Sequence, residues 1–182
     1  MSGNSPTWSA AIEKMKSGHD LEPSEIQSVM REILSGSANT EGIKEFLLVL
    51  KEKGETTEEV AALVAEMYEH SAPINIAERA VDTVGTGGDG ANTINISTTA
   101  AIITAAAGAR VVKHGSRAVS SKSGASDFLE ALGVVPGLDG TGVERTVREL
   151  GIGFCFAPVV HPSMRFAAPA RKELGVATIF NI

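Results

Sequence analysis

Gly85, Gly87, Gly88 and Gly90 fall within six residues, directly after the β-branched run Val81-Asp82-Thr83-Val84. Asn92-Thr93-Ile94-Asn95-Ile96-Ser97-Thr98 follows, and an alanine-rich helical pattern begins there. The order is strand, glycine loop, helix start. Glycine turns tightly and has no Cβ, so such a loop can bring backbone N–H groups against an anion. The helix start behind it adds unpaired N–H groups and a partial positive charge. The chemistry on offer is phosphate binding. The spacing Gly85-x-Gly87-x-x-Gly90 also spells the dinucleotide fingerprint, but that site wants an acidic residue about 20 positions on. No Asp or Glu occurs between Ala91 and Ser126. No Gly-Lys-Ser/Thr closes the glycines either, which excludes a Walker loop.

The acid-free stretch carries Arg110, Lys113, His114, Arg117 and Lys122, with hydroxyls at Ser116, Ser120, Ser121 and Ser123. In a chain of net charge −6 this is a local positive island. Ammonium groups, hydroxyls and loop amides together suit a multiply charged anion. A solvated surface loop is the bland alternative. Ser97-Thr98-Thr99 reads as an N-cap, and a hydroxyl there could also reach a metal-bound phosphate. His161-Pro162-Ser163-Met164-Arg165 opens a later helix, with Arg171 further along it. A lone histidine at a helix start is more often structural than catalytic. Cys155 sits in an apolar run and reads as inert core. No nucleophile elbow and no histidine-rich metal spacing is present, so neither hydrolase nor zinc chemistry is indicated.

The elements that must position these residues change in kind near Ser71-Ala72-Pro73. Before it the pattern is all-helical. Trp8, Ile12 and Met15 mark a short first helix. Ile26, Val29, Met30, Ile33 and Leu34 mark a second, after Pro23 and before Gly36. Ile43, Phe46, Leu47 and Leu50 mark a third, ending at Gly54. Thr56 and Glu59 form a capping-box signature ahead of Val60, Leu63, Val64 and Met67. After Ala80, strand candidates Val81–Val84, Arg110–Lys113, Ile152–Phe156 and Thr178–Phe180 alternate with helix candidates Ser97–Ala107, Ser126–Leu132, Gly142–Leu150 and Ser163–Leu174. The fold class is therefore α/β with an N-terminal all-helical domain, and the sheet is mostly parallel. Such sheets bind ligands outside the carboxyl ends of their strands. Both Gly85–Gly90 and His114–Gly124 follow strands. With about four strands the sheet is expected to be truncated, the chain being the front part of a longer one.

Composition narrows the partners. The chain has 182 residues, 43% of them hydrophobic, and an acidic balance that argues against nucleic acid as a partner. The longest apolar run, Ala100–Ala109, contains Thr104 and Gly108 and is too short for a bilayer, so no membrane partner is expected. One cysteine excludes an internal disulfide. The polar N-terminus has no signal-peptide core, and the expected location is cytoplasmic.

Taken together, these blocks resemble the anthranilate phosphoribosyltransferases. The resemblance rests on Asp82–Gly90, Asn92–Thr98, Lys113-His114-Gly115 through Ser120–Gly124, Asp127–Gly133, His161–Arg165, and Arg171–Gly175 with Thr178–Asn181, in family order across nearly the whole chain. It implies transfer of the phosphoribosyl group of phosphoribosyl pyrophosphate to the amine of anthranilate, with Mg2+ as cofactor and pyrophosphate released. It implies a helical domain at 1–72, which also receives the helix at 161–175, and an incomplete phosphoribosyl pyrophosphate-binding domain at 73–182. A homodimer through the helical domain is implied as well. Gly85, Gly88, Asp89, Thr93, Asn95, Ile96, Ser97 and Thr98 would hold the pyrophosphate side. Lys113, His114, Gly115, Ser116, Arg117, Ala118, Val119, Ser120, Ser121 and Ala125 would line the same substrate, and Ser97 would be a Mg2+ ligand. Gly85, Ser116, His161 and Arg171 would contact anthranilate. The amine is already a neutral nucleophile, so binding and electrostatic roles are expected and no catalytic base is assigned.

Three departures from the family pattern stand out. Ser116 replaces the usual Asn after Lys-His-Gly, and a shorter hydroxyl reaches less far toward the acceptor. Ala177 replaces the usual Arg before Thr-Ile-Phe-Asn. The family continues past Ile182, where an Asp-Glu pair completes its metal site, which leaves the activity of the 182-residue chain itself open. Two rival readings are a pyrimidine nucleoside phosphorylase-like enzyme and a non-catalytic dimerisation or binding fragment.

Overall fold

Ile26, Val29, Met30, Ile33 and Leu34 recur at helical spacing, and all are between 0 and 3% exposed. In the computed structural model, which describes residues 5–85, 94–117 and 123–181, they form the inner face of α2 (Pro23–Ser35). The same logic builds α1 (Pro6–Lys16), α3 (Thr40–Lys53) and α4 (Thr57–Glu69). The start of each of these three is marked by a side chain that satisfies an orphaned N–H. Ser5 accepts from the Trp8 N–H, Asn39 from Gly42, and Thr56 with Glu59 makes the expected reciprocal capping box. Trp8 and Phe46 meet at 5.9 Å between ring centres in the core of this bundle.

The chain divides into two compact units, Met1–Ser71 with Ser163–Ile182, and Ala72–Pro162. The first is the helical bundle, to which α9 (Ala168–Leu174) and the residue before it add Ala170 and Ala167 as fully buried residues. The second holds α5 (Ile96–Ala106), β1 (Val111–Gly115), α6 (Ala125–Ala131), α7 (Gly140–Leu150), β2 (Ile152–Phe156) and α8 (Ala157–Val160). The two strands are parallel, in the register Val111↔Ile152 through Gly115↔Phe156. Val81 pairs in parallel with Val111 on the far side of β1. Gly153 lets α7 lie close on β2, because a Cβ there would sit 2.6 Å from Val147 Cγ2 and 3.0 Å from Val143 Cγ1.

The expected class, a helical part followed by α/β with a parallel sheet, is what the described residues form. Four local expectations need correction. Thr178–Phe180 is not a strand: Ile179–Asn181 is a 3-10 helix. Ile179 joins the bundle core and Phe180 packs against it, so this segment goes to helices. Ser163–Leu174 is not one helix but a 3-10 helix over Pro162–Phe166 followed by α9. Pro169 lies in the first turn of α9, where a missing N–H costs nothing, and it would break a helix running through it. Val81–Val84 contributes one bridge residue among the described ones, because the Thr83 carbonyl accepts from a lysine side chain instead of a neighbouring strand. The described sheet therefore has two strands and a bridge, fewer than expected.

Glu59 does more than cap α4. Its carboxylate accepts from the Leu21 N–H at 2.8 Å, the Thr56 N–H at 2.9 Å and the Lys53 ammonium at 2.9 Å. Both partners of that ion pair are nearly sealed, at 4% and 2% exposure, and Asp20 reaches the same ammonium at 2.7 Å. Burial pushes the Glu59 carboxyl up, but the Leu21 N–H, the Lys53 ammonium and the Thr56 N–H outweigh it and hold it below its ordinary value. A carboxyl lowered by folding contributes stability above its unfolded pKa, and that stability is lost as pH falls through the folded pKa. Glu59→Gln should cost about 3 kcal/mol in urea unfolding at neutral pH, since it leaves a buried ammonium with the exposed Asp20 as its one remaining charged partner beside the Gly54 carbonyl. The variant should also lose less stability than the parent on acidification. A cost under about 1 kcal/mol with an unchanged acid profile would show that the pair is not coupled to folding.

Candidate active site

The carboxyl end of β1 carries Lys113, His114 and Gly115, and Ser116 and Arg117 leave the strand there. Two helix starts converge on this edge. Asn95 caps α5 by accepting the Thr98 N–H at 3.3 Å, and its amide donates to the Gly124 carbonyl at 3.0 Å, ahead of α6. The Ser126 N–H donates to the Ser116 carbonyl at 3.2 Å. A Cβ on Gly115 would lie 2.8 Å from Ala125 Cβ, so only glycine allows that approach. Gly115, Ser116, Ala125 and the α5 start are thus brought together. On the other side, Thr83 Oγ1 donates to the Ser97 carbonyl at 2.9 Å. A Cβ on Gly85 would stand 3.2 Å from Ser97 Oγ, which places Gly85 directly against that hydroxyl. Thr98 Oγ1, one residue on, is buried without a hydrogen-bond partner among the described residues. A buried hydroxyl at a helix N-terminus is a donor in want of an acceptor.

The charged residues divide by job. Lys113 is 3% exposed, and its ammonium donates to the Thr83 carbonyl at 2.7 Å and the His114 carbonyl at 3.3 Å. Burial lowers its pKa, and the Asp82 charge works against that. Arg117 donates to Asp127 at 3.1 Å and to Glu130 at 2.9 Å, with its guanidinium 5.9 Å from the Phe156 ring centre. Its positive charge is matched by α6 carboxylates. The His114 N–H donates to Asp82 Oδ1 at 3.2 Å. The His114 ring meets the His161 ring edge-on, with centres 5.4 Å apart. Nε2 of His114 is buried without a partner among the described residues. Burial lowers the pKa of both imidazoles, each of which stays neutral more readily than a free histidine.

Of the residues expected at the site, Gly85, Asn95, Ile96, Ser97, Thr98, Lys113, His114, Gly115, Ser116, Arg117, Ala125 and His161 belong to the α/β unit. Gly88, Asp89, Thr93, Ala118, Val119, Ser120 and Ser121 lie outside the described residues. Arg171 belongs to the helical unit, on α9, with its guanidinium 5.5 Å from the Phe180 ring centre and its pKa lowered by burial. Cys155 is buried, and its thiol is pushed up to about 11 by burial, which fits inert core. Sequence reasoning missed Thr83 and Asp82 as organising residues. Their signal is their place at the strand end, two and three residues before Gly85, which glycine spacing alone does not flag. Among the described residues, no group of three His, Cys, Asp or Glu side chains could hold a metal ion. The Ser97 hydroxyl beside Gly85 fits a magnesium ion that keeps water and phosphate oxygens as its other ligands.

Known proteins resemble this chain in sequence and fold. Residues 9–71 match the glycosyl transferase family helical bundle domain, and residues 77–182 match the glycosyl transferase family a/b domain. The chain is 51% identical over 176 residues to an anthranilate phosphoribosyltransferase of Rhodococcus jostii, covering 97% of this chain and 49% of the relative. It is 53% identical over 173 residues to one from Methanosarcina barkeri, covering 94% of this chain and 47% of the relative. The crystal structure of anthranilate phosphoribosyltransferase from Thermus thermophilus superposes with a TM-score of 0.88 at 44% identity, over 94% of this chain and 52% of that one. The Saccharomyces cerevisiae enzyme in complex with PRPP and Mg superposes with a TM-score of 0.88 at 28% identity, over 98% of this chain and 54% of that one. The chain spans about half the length of these relatives. Among the described residues, no helix is long and apolar enough to cross a membrane. The chain belongs to the glycosyl transferase family defined by that helical bundle and a/b domain.

Proposed function

We propose that the protein to which this chain contributes transfers the phosphoribosyl group of phosphoribosyl pyrophosphate to the amine of anthranilate. The observation that carries this reading is the approach of Gly85 to the Ser97 hydroxyl at the N-terminus of α5, where the Thr98 hydroxyl, one residue on, is buried without a hydrogen-bond partner among the described residues. Helix N–H groups and hydroxyls at that point suit a pyrophosphate. The activity for which the relatives are named agrees with that chemistry.

In this reading Ser97 and Thr98 hold pyrophosphate oxygens. Magnesium, held in part by the Ser97 hydroxyl, would neutralise charge on the departing pyrophosphate. The amine of anthranilate is a neutral nucleophile, so the chain's own work is to bind and orient. The His114–His161 pair offers neutral imidazoles for an aromatic acceptor, and Ser116 stands where a polar contact to it is expected. Arg171 is assigned to the acceptor's carboxylate, since a guanidinium can pair with it in a bidentate way. We assign the helical and α/β units to two domains, with α9 in the first, and propose a cytoplasmic homodimer formed through the helical one.

Loss of anthranilate fluorescence on adding phosphoribosyl pyrophosphate and Mg2+ to the full-length protein tests the activity. Nucleoside cleavage without that loss would favour a phosphorylase instead. Ser97→Ala should weaken phosphoribosyl pyrophosphate binding by about tenfold, the loss of one charge-assisted contact. Ser116→Asn should lower the KM for anthranilate, and an unchanged or higher KM would remove position 116 from the acceptor site. His114 and His161 should titrate below 6.5 by NMR. A histidine lowered by folding costs stability as pH falls from its unfolded pKa to its folded one, so the fold should weaken across that window. Ordinary titration of both rings would contradict the burial argument.

A further inference from the structure

We propose that Phe180 is a positioning residue, whose ring backs the guanidinium of Arg171 and leaves the N–H edge of that group open to the carboxylate of the acceptor. The proposal rests on the reading above for the identity of the acceptor. Arg171 is half-buried on α9, and its guanidinium lies over the Phe180 ring, 5.5 Å from the ring centre. Arg31, Arg110 and Arg117 are each answered by a carboxylate. Among the described residues no carboxylate pairs with Arg171, and burial lowers its pKa. A charge withdrawn from water is costly unless something replaces the water. An aromatic face does so for the flat side of a guanidinium and uses none of its N–H donors. A carboxylate in that place would hold the charge as well, but it would compete for the donors that an incoming carboxylate needs.

The chain brings this ring back to α9 by a reversal. Gly175 ends α9 in the left-handed conformation, at φ 60°, and its N–H donates to the Arg171 carbonyl at 3.2 Å. Lys51 on α3 then donates to the Ala177 carbonyl at 2.8 Å. Thr178 and Ile179 are each 5% exposed, and Ile179 belongs to the bundle core. The 3-10 helix over Ile179–Asn181 thereby holds Phe180 against that core. A guanidinium on an anchored ring ranges through fewer rotamers than a free arginine. Its ordering is then complete before the acceptor arrives, and binding does not have to supply it.

The test uses the full-length protein with phosphoribosyl pyrophosphate and Mg2+. Phe180→Leu keeps an apolar side chain and removes the π face. It should raise the KM for anthranilate by about fivefold, while the KM for phosphoribosyl pyrophosphate stays. Phe180→Tyr keeps the face and should hold the parent KM. In an Arg171→Met background, Phe180→Leu should change kcat/KM for anthranilate no further, because the ring acts through the guanidinium. The proposal fails if Phe180→Leu leaves the KM for anthranilate unchanged or raises both KM values alike. It also fails if Phe180→Tyr behaves like Phe180→Leu, or if the effect persists without Arg171. Nitrogen relaxation at Arg171 Nε needs neither substrate nor variant, and it decides the matter if Phe180→Leu does not fold. The guanidinium should be as rigid as the α9 backbone in the ligand-free protein, and a freely mobile one overturns the proposal. If the parent transfers nothing to anthranilate, the functional reading falls, and the platform is judged on that relaxation alone.

Discussion

The Asn95 carboxamide is bonded at both ends, and the geometry of the candidate site follows from that. Its oxygen takes the Thr98 N–H and closes the first turn of α5. Its nitrogen donates to the Gly124 carbonyl and holds the start of α6. One planar group thereby fixes two helix starts against one strand end. Gly115 permits it, since the Ala125 methyl would clash with any side chain there. The α5 N-terminus is then left with Ser97 and Thr98 close to where Gly85 ends the described part of the glycine-rich segment.

Around that edge, charge is distributed by burial. The Arg117 guanidinium is exposed and matched by α6 carboxylates. Lys113 is enclosed and directed at carbonyls. Burial holds the two imidazoles below their usual range, and Asp82, which accepts the His114 backbone N–H, opposes that shift at His114. The positive island read from the sequence is therefore three local environments. Lys113, His114 and Arg117 share a strand end and an absence of nearby sequence acids, while Arg110, at the other end of β1, pairs with Glu78, and the acids that answer Arg117 are Asp127 and Glu130, beyond the island.

Patterns with a local cause were legible in the sequence. Thr56 and Glu59 announced their capping box, and the Ile26–Leu34 stripe announced the buried face of α2. The alternation of strand and helix pointed to the parallel pairing of β1 with β2. What was not legible depends on contacts distant in the chain. Thr178–Phe180 has strand-forming residues, but Ile179 is claimed by the helical core. Ser163–Leu174 has helical periodicity, but Pro169 sits where the helix must restart. Lys113 reads from composition as part of a positive island, and its bond to the Thr83 carbonyl joins residues thirty positions apart. Glu59 reads as a cap, and the Leu21 N–H that it accepts lies in an earlier loop.

The central claim is that the α5 N-terminus beside Gly85 receives the pyrophosphate of a phosphoribosyl donor. Amide chemical-shift mapping with phosphoribosyl pyrophosphate and Mg2+ tests it most directly. The account predicts saturable shifts at Gly85, Ser97, Thr98 and Gly115, with Val29 and Phe46 in the bundle core unmoved. Binding that leaves Gly85, Ser97 and Thr98 in place, or shifts centred elsewhere in the chain, would contradict it.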